Sequence, residues 1–328
     1  MLNVEISQLM NEDGKMMNWA TKVKHNIELS AEDKEISEVV DAWAKKIGRG
    51  ETDAYALSQY LVKTVQPEVY NAPDEIFDKL FNRGSVGEFD DFQINEDAKN
   101  MLNPIEAAKN GNVDKSYIDY SIAKPIWKHF QVETEVSMEK LRKGGYKTVA
   151  DLQMYAEEAF RNTMFYTVFN YIDSLITAPS PQGFTTTGSL TASVLDDASG
   201  YLVDRADSPM LFGLSSLIRP INKLPGFTSY MSEDMKNEIN KYGILGMYNG
   251  TTLIPISASR KLANGNQLLP ANRLIGVSDK IGELDMRGSL RVLQTPNNNR
   301  ETIDLKFTGF EFGMAINKLD KVCKIAIV

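Results

Sequence analysis

His25 and His129 are the only imidazoles in this chain, and Cys323 is its only thiol. Nucleophilic catalysis of the Ser-His-Asp kind needs a base beside an exposed nucleophile. Neither histidine has such a context, and no G-x-S-x-G turn occurs. Both read as surface or boundary histidines, and Cys323, among apolar neighbours in a strand, reads as a buried, inert thiol. Three carboxylate pairs, Asp90-Asp91, Glu157-Glu158 and Asp196-Asp197, could hold a metal. None has calcium-loop spacing or a histidine partner, so they read as solvated faces. Gly183 to Gly188 lacks the Lys-Ser/Thr of a phosphate loop and reads as a flexible connection. Lys280, Arg287, Arg291 and Arg300 are spread through the last third, where inter-subunit ion pairs and ordinary solvated surface are equal readings. The residues thus point to no catalytic, cofactor or metal site, and to a protein that is not an enzyme.

Composition sharpens the exclusion. Net charge is −8 over 328 residues, which argues against a basic groove for nucleic acid. One cysteine allows no intramolecular disulfide and no cysteine-based zinc site, as in a chain made in a reducing cytoplasm. No run of apolar residues is long enough to cross a membrane, and Met1 to Glu5 does not open a secretory signal. The 42% apolar content supports a sizeable core in one large domain or two modest ones.

The elements are those of a large mixed α+β protein. Residues 1–80 read as helical and acidic. Ser30 and Asp33 form a capping box, Ile36, Val39, Val40, Trp43 and Ile47 recur at helical spacing, and Gly48 is placed to close that helix. A second stripe, Ala54, Leu57, Tyr60, Leu61 and Val65, stops before Pro67. Both stripes are short, and the region reads as an arm that packs on something else. Between 81 and 130, Gly84, Gly87, Asn103-Pro104 and Asn110-Gly111-Asn112 break any long period. Because Tyr117 to Ile122 alternates as a strand does, this stretch reads as an extended excursion. Phe130 to Val136 reads as a strand. Thr148 is placed to cap the longest helix, which carries Leu152, Ala156, Phe160, Met164, Val168, Ile172 and Leu175. Beyond it, Thr191 to Val203 reads as a helix, Met210 to Ile221 as strand-like and Ser232 to Gly243 as a helix. Asn249-Gly250 and Asn264-Gly265-Asn266 read as turns, and Thr252 to Ile256 as a strand that Pro255 marks as an edge or a bend. Ile303, Leu305 and Phe307 alternate with polar residues. A polar turn is expected over Thr295 to Arg300, and the final strand, Val322 to Val328, must be buried by something.

Arm and excursion both need partners to cover them. With that need in view, the chain resembles the major capsid proteins of tailed bacteriophages, of Hong Kong 97-like fold. Lys241-Tyr242-Gly243 followed by Thr252 to Ile256 resembles the axial domain's helix and central strand. Leu269 to Gly276 with Ile281 to Leu284 resembles that domain's return segment. Thr308 to Gly313 with Val322 to Val328 resembles the closing strands of the peripheral domain. The resemblance implies a helical N-terminal arm over 1–80 and an extended loop over 81–130. It implies a peripheral domain over 131–182 and 296–328 with its spine helix at 148–177, the final strand completing the sheet beneath that helix, and an axial domain over 183–295. It also implies a structural protein of the virion capsid, made in the host cytoplasm. Its copies would form hexamers and pentamers of an icosahedral shell around double-stranded DNA, without sequence-specific binding or a membrane, and with portal, scaffold or decoration proteins as partners. Lys99, Lys109, Lys115 and Lys124 lie in the loop, but with so many lysines and asparagines no crosslink is assigned. Two competing readings remain: an encapsulin-like nanocompartment shell, and, from a different class, a soluble enzyme with a carboxylate-based site.

Overall fold

The computed structural model describes residues 15–24, 26–52, 54–70, 76–88, 90, 97–100, 102, 118–121, 125–176, 184–206, 208–224, 233, 246–297 and 299–328. His25, Asp91, Gly183, Lys109, Lys115, Lys124 and the helix read between Met235 and Gly243 lie outside these residues.

Four helices lead the chain: α1 (Lys15–Lys24), α2 (Ala31–Gly48), α3 (Tyr55–Tyr70) and the short α4 (Phe77–Leu80). The start of α2 follows the capping box. Ser30 Oγ accepts from the Asp33 amide at 3.2 Å, and Asp33 Oδ2 accepts from the Ser30 amide at 2.9 Å. Its end differs from the sequence reading. Gly48 lies inside the last turn, and the closing glycine is Gly50, at φ +72°. The Gly50 amide bonds the Ile47 carbonyl and the Glu51 amide bonds the Lys46 carbonyl, which satisfies two otherwise orphaned acceptors. Pro67 does not stop α3 either. Burial of Val69 and Tyr70 offsets the one hydrogen bond that proline removes.

These helices do not form a detached arm. Trp19, Trp43 and Tyr60 are at most 1% exposed, with ring centroids about 6.4–6.5 Å apart around Tyr60. The cluster packs on the long helix of its own chain through Tyr146, whose ring lies 6.4 Å from Trp19, and through Gln153, which accepts from Tyr60 Oη at 2.8 Å.

Next come β1 (Phe81–Val86), β2 (Asp97–Asn100), β3 (Ile118–Ser121) and β4 (Ile126–Ser137), then α5 (Met138–Gly144) and α6 (Tyr146–Leu175). Helix α6 has 30 residues, or roughly 45 Å at about 1.5 Å per residue. It opens two residues before Thr148, whose hydroxyl donates to the Lys140 carbonyl and caps nothing. Capping falls to Asp41 of α2, whose Oδ1 accepts from the Tyr146 amide at 3.3 Å. A carboxylate there complements the positive end of the helix dipole. Buried side chains occur on more than one side of α6, from Val149, Phe160 and Phe165 to Phe169 and Ile172.

The remaining elements are β5 (Phe184–Gly188), α7 (Ala192–Val203), β6 (Met210–Leu214), α8 (Ser215–Ile218), β7 (Met247–Tyr248), β8 (Thr251–Ile256), β9 (Arg273–Val277), β10 (Gly282–Arg287), β11 (Arg291–Asn297), β12 (Thr302–Ile316) and β13 (Val322–Ile327). Helix α7 falls where it was read, with Thr191 just before it as its cap. The strand-like stretch from Met210 ends at Leu214, where α8 and a 3-10 turn begin. Asn249 and Gly250, both at positive φ, close the β7–β8 hairpin. Thr295, Pro296 and Asn297 continue β11, so the expected polar turn begins later, and Glu301 at φ +51° completes it.

Two sheets result. In the five-stranded sheet, β12 pairs with β4 along one side and with β10 and β11, end to end, along the other, while β1 runs parallel to β10. The register shifts between Phe307 and Phe310, where Gly309 sits at φ +83°. That extra residue switches parity, so Ile303, Leu305 and Phe307 and then Phe310, Phe312 and Met314 all face the core. In the six-stranded sheet the order is β5-β13-β9-β6-β8-β7. Met210, Phe212, Ile275, Val277 and Val322 join the core shared with α6, while Leu211, Leu253, Leu274, Cys323 and Ile325 form a second core with Leu195 and Leu202 of α7. Past Thr252, β8 lies at the edge, which accommodates Pro255.

Three expectations are corrected here. The final strand lies inside the six-stranded sheet, between β5 and β9, and not in the sheet that holds β12. Gly183 to Gly188 is no flexible connection, because Phe184–Gly188 is the strand paired with it. Conversely, β10, read with the 183–295 unit, belongs to the five-stranded sheet.

Candidate functional site

The residues singled out for chemistry are dispersed. His129 lies exposed on β4, its Nε2 2.9 Å from the Gln131 amide nitrogen. Cys323 is fully buried, and burial pushes its thiol up to about 12, so no thiolate nucleophile is on offer. Asp90 accepts from the Gly87 amide at 3.1 Å. Asp196 is held by Tyr248 Oη at 2.8 Å and Asn249 Nδ2 at 2.6 Å, which ties α7 to the β7–β8 turn. Burial raises the Tyr248 phenol, and its bond to Asp196 raises it further.

One carboxylate reading is overturned. Glu157 is buried at 2% exposure while Glu158 is exposed. Neighbours on a helix point about 100° apart, so only one of the pair meets solvent. Glu157 Oε1 accepts from Gln153 Nε2 at 2.8 Å, continuing the network from Tyr60. Burial, then the Glu157 charge, raises the Tyr60 phenol. The network fixes the N-terminal helices on α6.

The four cations of the last third find partners within the chain in three cases. Arg287 makes a bidentate pair with Glu311, at 2.7 and 3.1 Å, and lies 3.9 Å over the Trp127 ring. Arg291 pairs with Glu88 at 3.3 Å, and Lys280 donates to Asn82 at 3.0 Å. Arg300 uses its main-chain amide on Asn297. Lys99 lies on β2.

Sequence reading missed a buried carboxylate pair on β10. Glu283 and Asp285 lie on the face opposite Leu284 and Met286, at 6% and 7% exposure. Burial, then the neighbouring Glu283, raises the Asp285 carboxyl. The alternation Gly282-Glu283-Leu284-Asp285-Met286 was its visible signal. Among the described residues no three of His, Cys, Asp and Glu are grouped to hold a metal ion, and no helix is long and apolar enough to cross a membrane.

What the geometry does present is surface for other chains. Strands β2 and β3 form a two-stranded sheet that joins neither larger sheet. Strand β4 runs twelve residues along an outer edge of the five-stranded sheet, with one side unpaired among the described strands. Such an edge is a template for another segment.

Comparison with known proteins agrees. Residues 5–319 match the model of a family described as "SPbeta prophage-derived putative capsid protein YonB". A search of curated proteins finds no match. Among solved structures, the fold is similar to a chain from Mycobacterium phage Ogopogo, at 12% identity and a TM-score of 0.50, over 74% of this chain and 90% of that one. It is also similar to the capsid of an empty GTA particle, at 8% identity and a TM-score of 0.51, over 76% and 88% of the two chains. The chain belongs to the family of the SPbeta prophage-derived capsid protein, and it is a structural major capsid protein of Hong Kong 97-like fold, a component of the virion shell.

Proposed function

We propose that copies of this chain group into hexamers and pentamers of an icosahedral head that encloses double-stranded DNA, with portal and scaffold proteins as assembly partners. The five-stranded sheet with α6 and the N-terminal helices would be the peripheral domain. The six-stranded sheet with α7 would be the axial domain, with the final strand in it, and the 97–121 hairpin would be the extended loop. Polar packaged DNA brings its own counterions, so a net charge of −8 is compatible with enclosing it.

The observation that carries this reading is the β2–β3 hairpin. Two four-residue strands that, among the described strands, pair only with each other are marginal in water. A neighbouring subunit supplies the missing cover, and contacts of this head-to-tail kind close into rings. Replacing 97–121 by a Gly-Ser linker tests it. The variant is expected to keep the parent's thermal unfolding and to form no shells. Shells of normal size from that variant would overturn the role of the hairpin.

A further inference from the structure

Fourteen positions, 45–49 and 139–147, hold seven of the chain's 36 lysines and arginines and one of its 44 acidic residues. They are some ninety residues apart in sequence, and folding brings them together. Gly48 in the last turn of α2 sits against Met138 and Arg142 of α5, and Asp41 of α2 caps α6 at Tyr146. The local acids neutralise only part of this charge. Asp41 pairs with Lys45, Glu51 with Arg49, Glu139 with Lys143 and Glu301 with Arg142. Lys46, Lys140 and Lys147 make no ion pair among the described residues, and the last two are exposed. In a chain of net charge −8 this is a concentrated basic patch.

The patch borders an apolar groove of about 490 Å³. Val23, Ile27, Leu29, Tyr146 and Met154 line it, with Lys147 and Asp151 as its charged lining. A partner that fits both features is acidic with interspersed large apolar side chains. The chain's own sequence contains such a segment. From Gly87 to Ala98 there are five carboxylates, Glu88, Asp90, Asp91, Glu96 and Asp97, with Phe89, Phe92 and Ile94 among them and no lysine or arginine. This run leads directly into the β2–β3 hairpin.

We infer that the basic patch at the α2–α5–α6 junction, with its adjoining groove, receives the acidic run Asp90–Glu96 of a second copy of this chain. The inference rests on the shell reading and names the two surfaces that one of its contacts joins. Complementary charge steers the encounter and sets the register, while the aromatic residues fill the groove.

Charge reversal and charge swap test it in the full-length chain. K46E/K140E/K147E and, separately, D90K/D91K/E96K are each expected to abolish shells in light scattering and electron microscopy while leaving circular dichroism and thermal unfolding unchanged. The chain carrying both sets is expected to regain shells. A milder set, K46Q/K140Q/K147Q, guards against misfolding and is expected to shift assembly to lower salt. Four outcomes would overturn the inference. Patch variants could assemble like the parent, or assemble with less packaged nucleic acid, which would face the patch to DNA. They could assemble but unfold earlier, which would place the contact within one subunit. Two defective single sets could also fail to restore each other. A parent chain that forms no shells would instead refute the shell reading itself.

Discussion

Lys324 of the final strand lies 2.7 Å from Asp173 Oδ1 in the last turns of the long helix. Its ammonium also donates to the Asp173 and Ile176 carbonyls, at 2.9 and 3.1 Å. The helix is therefore closed by charges from distant segments, the Asp41 carboxylate at its start and the Lys324 ammonium at its end. Each sign complements the dipole at its own terminus. Through Lys324 the final strand ties the six-stranded sheet to the helix that spans the rest of the molecule.

Lys324→Met keeps the aliphatic stem but leaves those carbonyls without their donor and Asp173 with only the more distant Arg273, at 3.7 Å. The side chain is only 12% exposed, so little solvent replaces it. The variant is expected to lose roughly 2–3 kcal/mol of stability, measured by denaturant unfolding at equal midpoint slope. An unchanged midpoint would show that the contact is incidental.

Gly145→Ala tests the other end. Gly145 sits at φ +52°, and a Cβ there would meet the Asp41 carboxylate that caps the helix. Backbone strain and the displaced cap together are expected to cost about 2 kcal/mol or more. Thermal unfolding reads the loss, and a melting curve like the parent's would contradict the capping geometry.

The Asp33 carboxyl gives a pH-dependent prediction. Hydrogen bonds from Lys22, then from Ser30, lower it from the usual 3.8 to about 2. A depressed acid adds stability above its unfolded value and loses it as pH falls through the folded one. Asp33→Asn is thus expected to melt earlier than the parent at pH 5 to 7, with the gap closing between about 3.8 and 2. A gap that stays constant across that window would rule out the ionised cap.

Cys323 offers a chemical probe of the second core. Its thiol is fully buried and raised to about 12. The native protein is expected to resist a maleimide at pH 8 and to label completely in denaturant. Rapid labelling of the folded chain would mean that the sheet between β9 and α7 opens readily.

Local signals were legible and remote ones were not. The Ser30–Asp33 box, the helix after Thr191 and the Asn249-Gly250 turn depend on neighbours a few residues away, so sequence shows them. The alternation of Ile303, Leu305 and Phe307 showed which face of β12 is buried. It could not show that the same face stays buried beyond Gly309, because that depends on the bulge in the pairing with β4. Likewise Val322 to Ile327 was plainly a strand, but period-two patterning names no partner, and the strand sits between β5 and β9. Thr148 looked like a cap because local chemistry allowed it, whereas Asp41, over a hundred residues away, performs the task. The two basic runs, Lys45 to Arg49 and Lys140 to Lys147, each resemble an ordinary helix end, and only packing makes them one surface.

Electron microscopy of the purified chain, alone and with its scaffold, shows whether many copies close into a shell, with light scattering on the same samples. Shells tens of nanometres wide are expected, with capsomers of five- and six-fold symmetry. A compact monomer under every condition would contradict the shell reading.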